Sequence, residues 1–100
     1  MNAPLISDPE TAAKKAGMCP ERLSRIVPFF QTYVDNKKLA GVSTLVWRKG
    51  ELAHFGVQGQ MDVARGRAMA QDTIFRIYSM SKPITSVAVM MLYEEGRFQL

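Results

Sequence analysis

Ser79 and Lys82 stand three residues apart in the run Ser79-Met80-Ser81-Lys82, a Ser-x-x-Lys pattern. On a helix, residues at that spacing share a face, so the lysine amine comes within reach of the serine hydroxyl. A serine hydroxyl is a weak nucleophile until a neighbouring base removes its proton. Lysine serves as that base only when its pKa falls, which burial in a dry cleft favours. A serine at a helix N-terminus also gains a free backbone N–H and the positive end of the dipole, and both favour an oxyanion. The pair therefore reads as a nucleophile and its base. No motif in the chain marks the second N–H donor that an oxyanion hole needs.

The spacing alone is weak support. Chance supplies roughly 0.3–0.5 copies of Ser-x-x-Lys in a chain of this length. The competing reading makes Ser79 a helix cap and Lys82 a solvated first-turn residue, at a small cost because lysine sits poorly near the positive helix end. Ser81 is either a second hydroxyl in the site or a cap. His54 is the only histidine, so a Ser-His-Asp triad would have to use it. With no second histidine and no carboxylate at useful spacing, it reads as a surface or half-buried strand residue. Cys19, the only cysteine, forms no internal disulfide and lacks a histidine partner, so it reads as a capping-region residue. Met90 and Met91 read as core, and Trp47 as packed in a sheet. No cofactor or metal site is expected.

The elements that must position Ser79 and Lys82 follow from local patterns. Ser7 or Asp8 with Pro9 and Glu10 opens a short helix that Gly17 stops, a peripheral arm. Pro20 opens a second helix, with Leu23, Ile26, Val27, Phe30 and Val34 on one face; Pro28 must kink or split it. Residues 41–48 and 51–58 form two strands joined at Lys49-Gly50, a β-hairpin. Residues 59–67 are a loop or a distorted strand and turn. A short extended piece at 74–77 leads into the last helix, which starts near Ser79 to Ser81, with Pro83 in its first turn and Gly96 at its end. Ile84, Val87, Ala88, Met91 and Leu92 give that helix a broad apolar face, so it is expected to be central. The order predicts an α+β fold with helices packed on an antiparallel hairpin.

Context sharpens the reading of Ser79. The stretch from Asp72-Thr73-Ile74-Phe75-Arg76-Ile77-Tyr78 through Ser79 and Lys82 to Pro83-Ile84-Thr85 closely resembles the nucleophile segment of class C β-lactamase-like serine hydrolases. The apolar helix that follows, and Leu92-Tyr93-Glu94-Glu95-Gly96-Arg97, look like the same family's continuation. Pro20-Glu21-Arg22-Leu23 and the hairpin at Lys49-Gly50 also match its order. The resemblance covers residues 20–100 and is closest to the family's esterases and uncharacterised hydrolases. It implies a β-lactamase/transpeptidase-like fold, a helical domain beside an α/β domain with an antiparallel sheet. It implies that Ser79 is acylated by an ester, amide or β-lactam with Lys82 assisting, and that water then releases the acyl group. The family also uses a Tyr-x-Asn-type motif and a Lys/His-Thr/Ser-Gly-type strand. Neither occurs here; Tyr78 and Tyr93 lie in no such motif.

Bulk properties agree with a globular chain. Of 100 residues, 47% are hydrophobic and 22% charged, and the net charge is +4. Basic residues are scattered in pairs among acids, a solvated surface rather than a nucleic-acid patch. No stretch suits a membrane span and residues 1–17 lack a signal-type apolar core, so a cytoplasmic location is expected. The division is an arm over 1–18 and the N-terminal part of a hydrolase domain over 19–100. The apolar Phe98 and Leu100 suggest a fragment cut after the nucleophile helix. The expected partner is a small ester, amide or β-lactam, with no nucleic acid and no membrane; the oligomeric state stays open. Two functions follow: an acyl-serine hydrolase, most of all an esterase, or a non-catalytic β-lactamase-like fragment or binding module.

Overall fold

The computed structural model describes residues 3–100. Its sheet grows from Lys49-Gly50. Their φ angles of 53° and 77° are both left-handed, as a two-residue type I′ hairpin requires, and glycine takes the second without steric cost. The flanking strands β1 (Gly41–Arg48) and β2 (Glu51–Asp62) pair antiparallel from Arg48↔Glu51 to Gly41↔Gly59. β2 outruns the expected strand, and its end pairs with β3 (Arg67–Ala68) through Gln60↔Ala68 and Asp62↔Arg67. The hairpin is thus part of a three-stranded antiparallel sheet in the order β1-β2-β3.

Ala53 is an extra residue in β2. Val46 pairs with His54 and Trp47 with Leu52, which leaves Ala53 as a bulge. The bulge brings Leu52 onto the same face as Phe55 and Val57, and explains why these apolar residues do not alternate strictly. That face also carries Leu45 and Trp47. The opposite face carries Val42, Thr44, Val46, His54, Gly56 and Gln58.

Three helices precede the sheet: α1 (Pro9–Lys15), α2 (Pro20–Leu23) and α3 (Ile26–Asp35). Pro28 explains the break between α2 and α3. It has no N–H to give residue 24, and its ring crowds that carbonyl. The chain therefore breaks at Ser24–Arg25, and Pro28 falls in the first turn of α3. Gly56 leaves room for α3: a Cβ there would lie 3.0 Å from a Val27 methyl. The Gln58 side-chain amide donates to the Val27 carbonyl at 2.8 Å. Arg48 fastens the end of α1 by donating to the Ala16 and Gly17 carbonyls, each at 2.8 Å. Among the described residues, the buried apolar ones are Ala13, Ala16 and Ala53. The N-terminal segment, expected as a peripheral arm, therefore supplies part of the core, because small side chains let α1 approach the sheet closely.

After β3 the chain runs without regular structure to a 3-10 turn at Tyr78–Met80 and then α4 (Ser81–Glu94). Helix α4 ends in a Schellman motif: Gly96 N–H donates to Tyr93 O at 2.9 Å and Arg97 N–H to Leu92 O at 3.1 Å. Here the expectation needs correction. Helix α4 is not central; it packs on the turn ahead of it rather than on the sheet. Ile84, Val87 and Met91 are 63%, 62% and 60% exposed, and Met90 and Trp47 are exposed too. An apolar face states that a helix needs a partner surface, not which surface it meets. The architecture is α+β, with helices on an antiparallel sheet.

Candidate active site

Ser79 is the middle residue of the 3-10 turn, and Lys82 is the second residue of α4. The two residues thus stand on either side of the junction where the 3-10 turn passes into α4. The turn's first hydrogen bond runs from Met80 N–H to Ile77 O at 3.0 Å. The Ser79 N–H therefore lies ahead of the ladder and is not used by it, as an oxyanion donor requires.

Tyr78 shapes this junction. Its φ of 47° lies in the left-handed region, which costs a residue with a Cβ about 1–2 kcal/mol. The turn sends the chain from the open stretch at 74–77 directly into the helix. Sequence patterns carry no signal for it, because tyrosine has no preference for this conformation.

The structure brings Ser79 and Lys82 near each other along the chain without joining them. Among the described residues, no hydrogen bond links the Ser79 hydroxyl to the Lys82 amine, and both residues are exposed. The dry cleft that the base role requires is not formed by these residues. Lys82 instead borders a shallow groove on α4 with Ser81, Thr85, Ser86, Val89 and Met90. Ser81 is the first residue of α4 and is also exposed, but Met80 takes the cap position and no side chain caps the helix, so Ser81 does not act as its cap.

His54 and Cys19 lie apart from this junction. His54 is half-buried in β2, with Nε2 2.8 Å from the Thr44 hydroxyl, and desolvation pushes its imidazole below its ordinary pKa. It lines a cavity of about 540 Å³ between the N-terminal helices and β2, with Pro9, Leu23, Val27 and Phe55. Neither Ser79 nor Lys82 reaches that cavity. Cys19 is exposed at the start of α2, its thiol donating to the Glu21 carboxylate at 3.0 Å. That bond holds Glu21 below the usual carboxylate range. Among the described residues no group of three or more His, Cys, Asp or Glu is placed to hold a metal ion. No helix among them is long and apolar enough to cross a membrane.

Comparison with known proteins bears on the same stretch. The family model described as Beta-lactamase matches residues 26–100. Protein Rv1367c of Mycobacterium tuberculosis is 42% identical over 66 residues, which is 66% of this chain and 16% of that protein. Esterase EstB of Burkholderia gladioli is 33% identical over 93 residues, 93% of this chain and 23% of its own length. The chain thus spans less than a quarter of the length of these relatives. The matched stretch contains α3, the whole sheet, the 3-10 turn and α4, and on that ground the chain belongs to the beta-lactamase family.

Proposed function

We propose that the whole protein is an acyl-serine hydrolase of esterase type, with Ser79 as nucleophile and Lys82 as its base. One observation carries the reading: Ser-x-x-Lys straddles the start of α4, inside the stretch matched by the beta-lactamase family model. The esterase leaning comes from the similarity to Esterase EstB.

The residues suit a two-step reaction. Lys82 takes the proton of the Ser79 hydroxyl as its oxygen attacks the substrate carbonyl carbon. The negative charge moves to the carbonyl oxygen, facing the unused Ser79 N–H. Collapse of this intermediate expels the alcohol, amine or opened β-lactam nitrogen, which takes the proton back from Lys82. Water then attacks the acyl-serine and releases the acid. The cleft around Lys82, and the remaining donors, belong in this proposal to the larger part of the protein that the relatives possess and these residues do not.

The exposure of Lys82 and its missing bond to Ser79 favour a second reading, a non-catalytic member of the family. A fluorescent phosphonate that reacts with activated serines separates the two in the full-length protein. Labelling that Ser79→Ala abolishes supports the enzyme. Lys82→Ala should slow labelling about 10²–10⁴-fold, the usual worth of a general base, with unchanged circular dichroism. No labelling of the wild type would leave the non-catalytic reading standing. Undiminished labelling of Lys82→Ala would remove the base role alone.

A further inference from the structure

Gln71 ties two distant parts of the chain together. Its side-chain Oε1 accepts from the Leu5 N–H at 3.1 Å, and its Nε2 donates to the Ala3 carbonyl at 2.8 Å. A primary amide donates and accepts at once, so Gln71 satisfies one backbone N–H and one backbone carbonyl of this segment. The turn that carries Gln71 is also closed on itself. Ala70 N–H donates to the Thr73 hydroxyl at 2.9 Å, and Thr73 N–H to Ala70 O at 3.2 Å. On its other side the turn is held to β2, by Met69 N–H to Gly59 O at 2.9 Å and by the Thr73 hydroxyl to the Met61 sulfur at 3.5 Å.

Thr73 is the last residue anchored in this way before the 3-10 turn. The stretch at 74–77 adds no regular structure, and Ile74 is 94% exposed. Ser79 lies six residues beyond Thr73, a span that reaches about 20 Å when extended. The point from which this stretch departs toward Ser79 is therefore set by the turn at 70–73. A misplacement of about 1 Å at a reacting atom costs about a hundredfold in rate.

We propose that Gln71 and the arm at Ala3–Leu5 form a clamp that sets the place of the Ser79 segment, which makes Gln71 a positioning residue for acyl transfer. The inference rests on the reading of Ser79 as nucleophile. In this role the N-terminal arm braces the turn from the side that the sheet does not hold.

The test uses the full-length protein, the serine-reactive phosphonate and three variants: Gln71→Ala, deletion of residues 1–5, and both together. Each single change should slow single-turnover labelling of Ser79 about tenfold, with unaltered saturation by the probe and an unaltered thermal midpoint. The double variant should be no slower than either single one, since both remove the same contact. Hydrogen exchange of the amides at 74–80 should quicken in all three. Wild-type labelling rates in Gln71→Ala, or losses that multiply in the double variant, overturn the clamp and leave Ser79 as nucleophile. If the wild type does not label, the nucleophile reading falls, and exchange then decides the clamp: protection at 74–80 that Gln71→Ala leaves unchanged refutes it.

Discussion

Tyr78 and His54 show how single residues in this chain answer to their surroundings. Tyrosine has no reason of its own to adopt the left-handed backbone it holds ahead of Ser79, and such strain collects at functional sites more often than elsewhere. His54 illustrates the electrostatic side. Burial disfavours its charged form, so its pKa falls below the ordinary 6.5. Between the two values the unfolded chain binds a proton that the folded chain refuses. Its contribution to stability is therefore complete above 6.5 and is lost as pH falls through the folded value. In His54→Gln, which can still reach the Thr44 hydroxyl, the stability slope over about pH 5 to 7 should flatten. Urea titrations at several pH values measure it; a slope equal to the wild type's would show that another group titrates there. Asp8 and Glu21, held low by the Thr11 hydroxyl and the Cys19 thiol, lose their contributions at more acid pH.

Elements in this chain are strongly marked where local chemistry decides them. The Lys49-Gly50 turn, the split at Pro28 and the Gly96 end of α4 were all legible, because each depends on the backbone freedom of one or two residues. The third strand was not legible. Gln60 to Asp62 pair with Arg67 and Ala68 across a tight turn, and no alternation of apolar residues marks that pairing. The docking of α1 was also hidden. It depends on Arg48, which lies 31 and 32 residues from its two carbonyl acceptors. Charge-assisted bonds of this kind contribute about 1.5–3 kcal/mol each at most, less where solvent competes. Arg48→Ala should lower unfolding stability by about 1–2 kcal/mol and raise hydrogen exchange over α1 before it does so over the hairpin. Arg48→Lys should recover only part of this, because a single ammonium lacks the planar fork. Equal stability of all three proteins would show that α1 is held by its alanines alone.

At the scale of the whole molecule the chain is extended rather than compact. Its radius of gyration is 17.6 Å, against about 13 Å for a compact chain of 100 residues. Among the described residues no large side chain is fully buried, so the term of about 1.5–3 kcal/mol that each such residue usually contributes is largely missing. Two apolar surfaces stand open: the face of α4 with Ile84, Val87 and Met91, and the sheet face with Leu45 and Trp47. Residues 1–100 expressed alone should therefore bind an apolar dye such as ANS and associate with rising concentration. Val87→Lys with Met91→Lys should reduce both. Sedimentation and dye fluorescence measure this, and a monomer that leaves the dye dark would mean that these faces find each other in solution.

The sequence by itself determined the α+β class, the hairpin register near its turn, the position of each helix and the family. It also singled out Ser79 and Lys82 as the candidate pair. These depend on short-range chemistry: turn φ angles, proline breaks, apolar spacing and a motif in its local context. Only the tertiary structure decided that α1 belongs to the core, that Gln71 reaches the N-terminal arm, and that α4 stands clear of the sheet. The physical reason is common to all three. Periodicity fixes which face of an element is apolar, but the partner of that face is chosen by contacts between residues far apart in the chain. For Lys82 the difference is direct: its spacing from Ser79 is written locally, whereas the dry surroundings that would make it a base must come from packing that these residues do not supply.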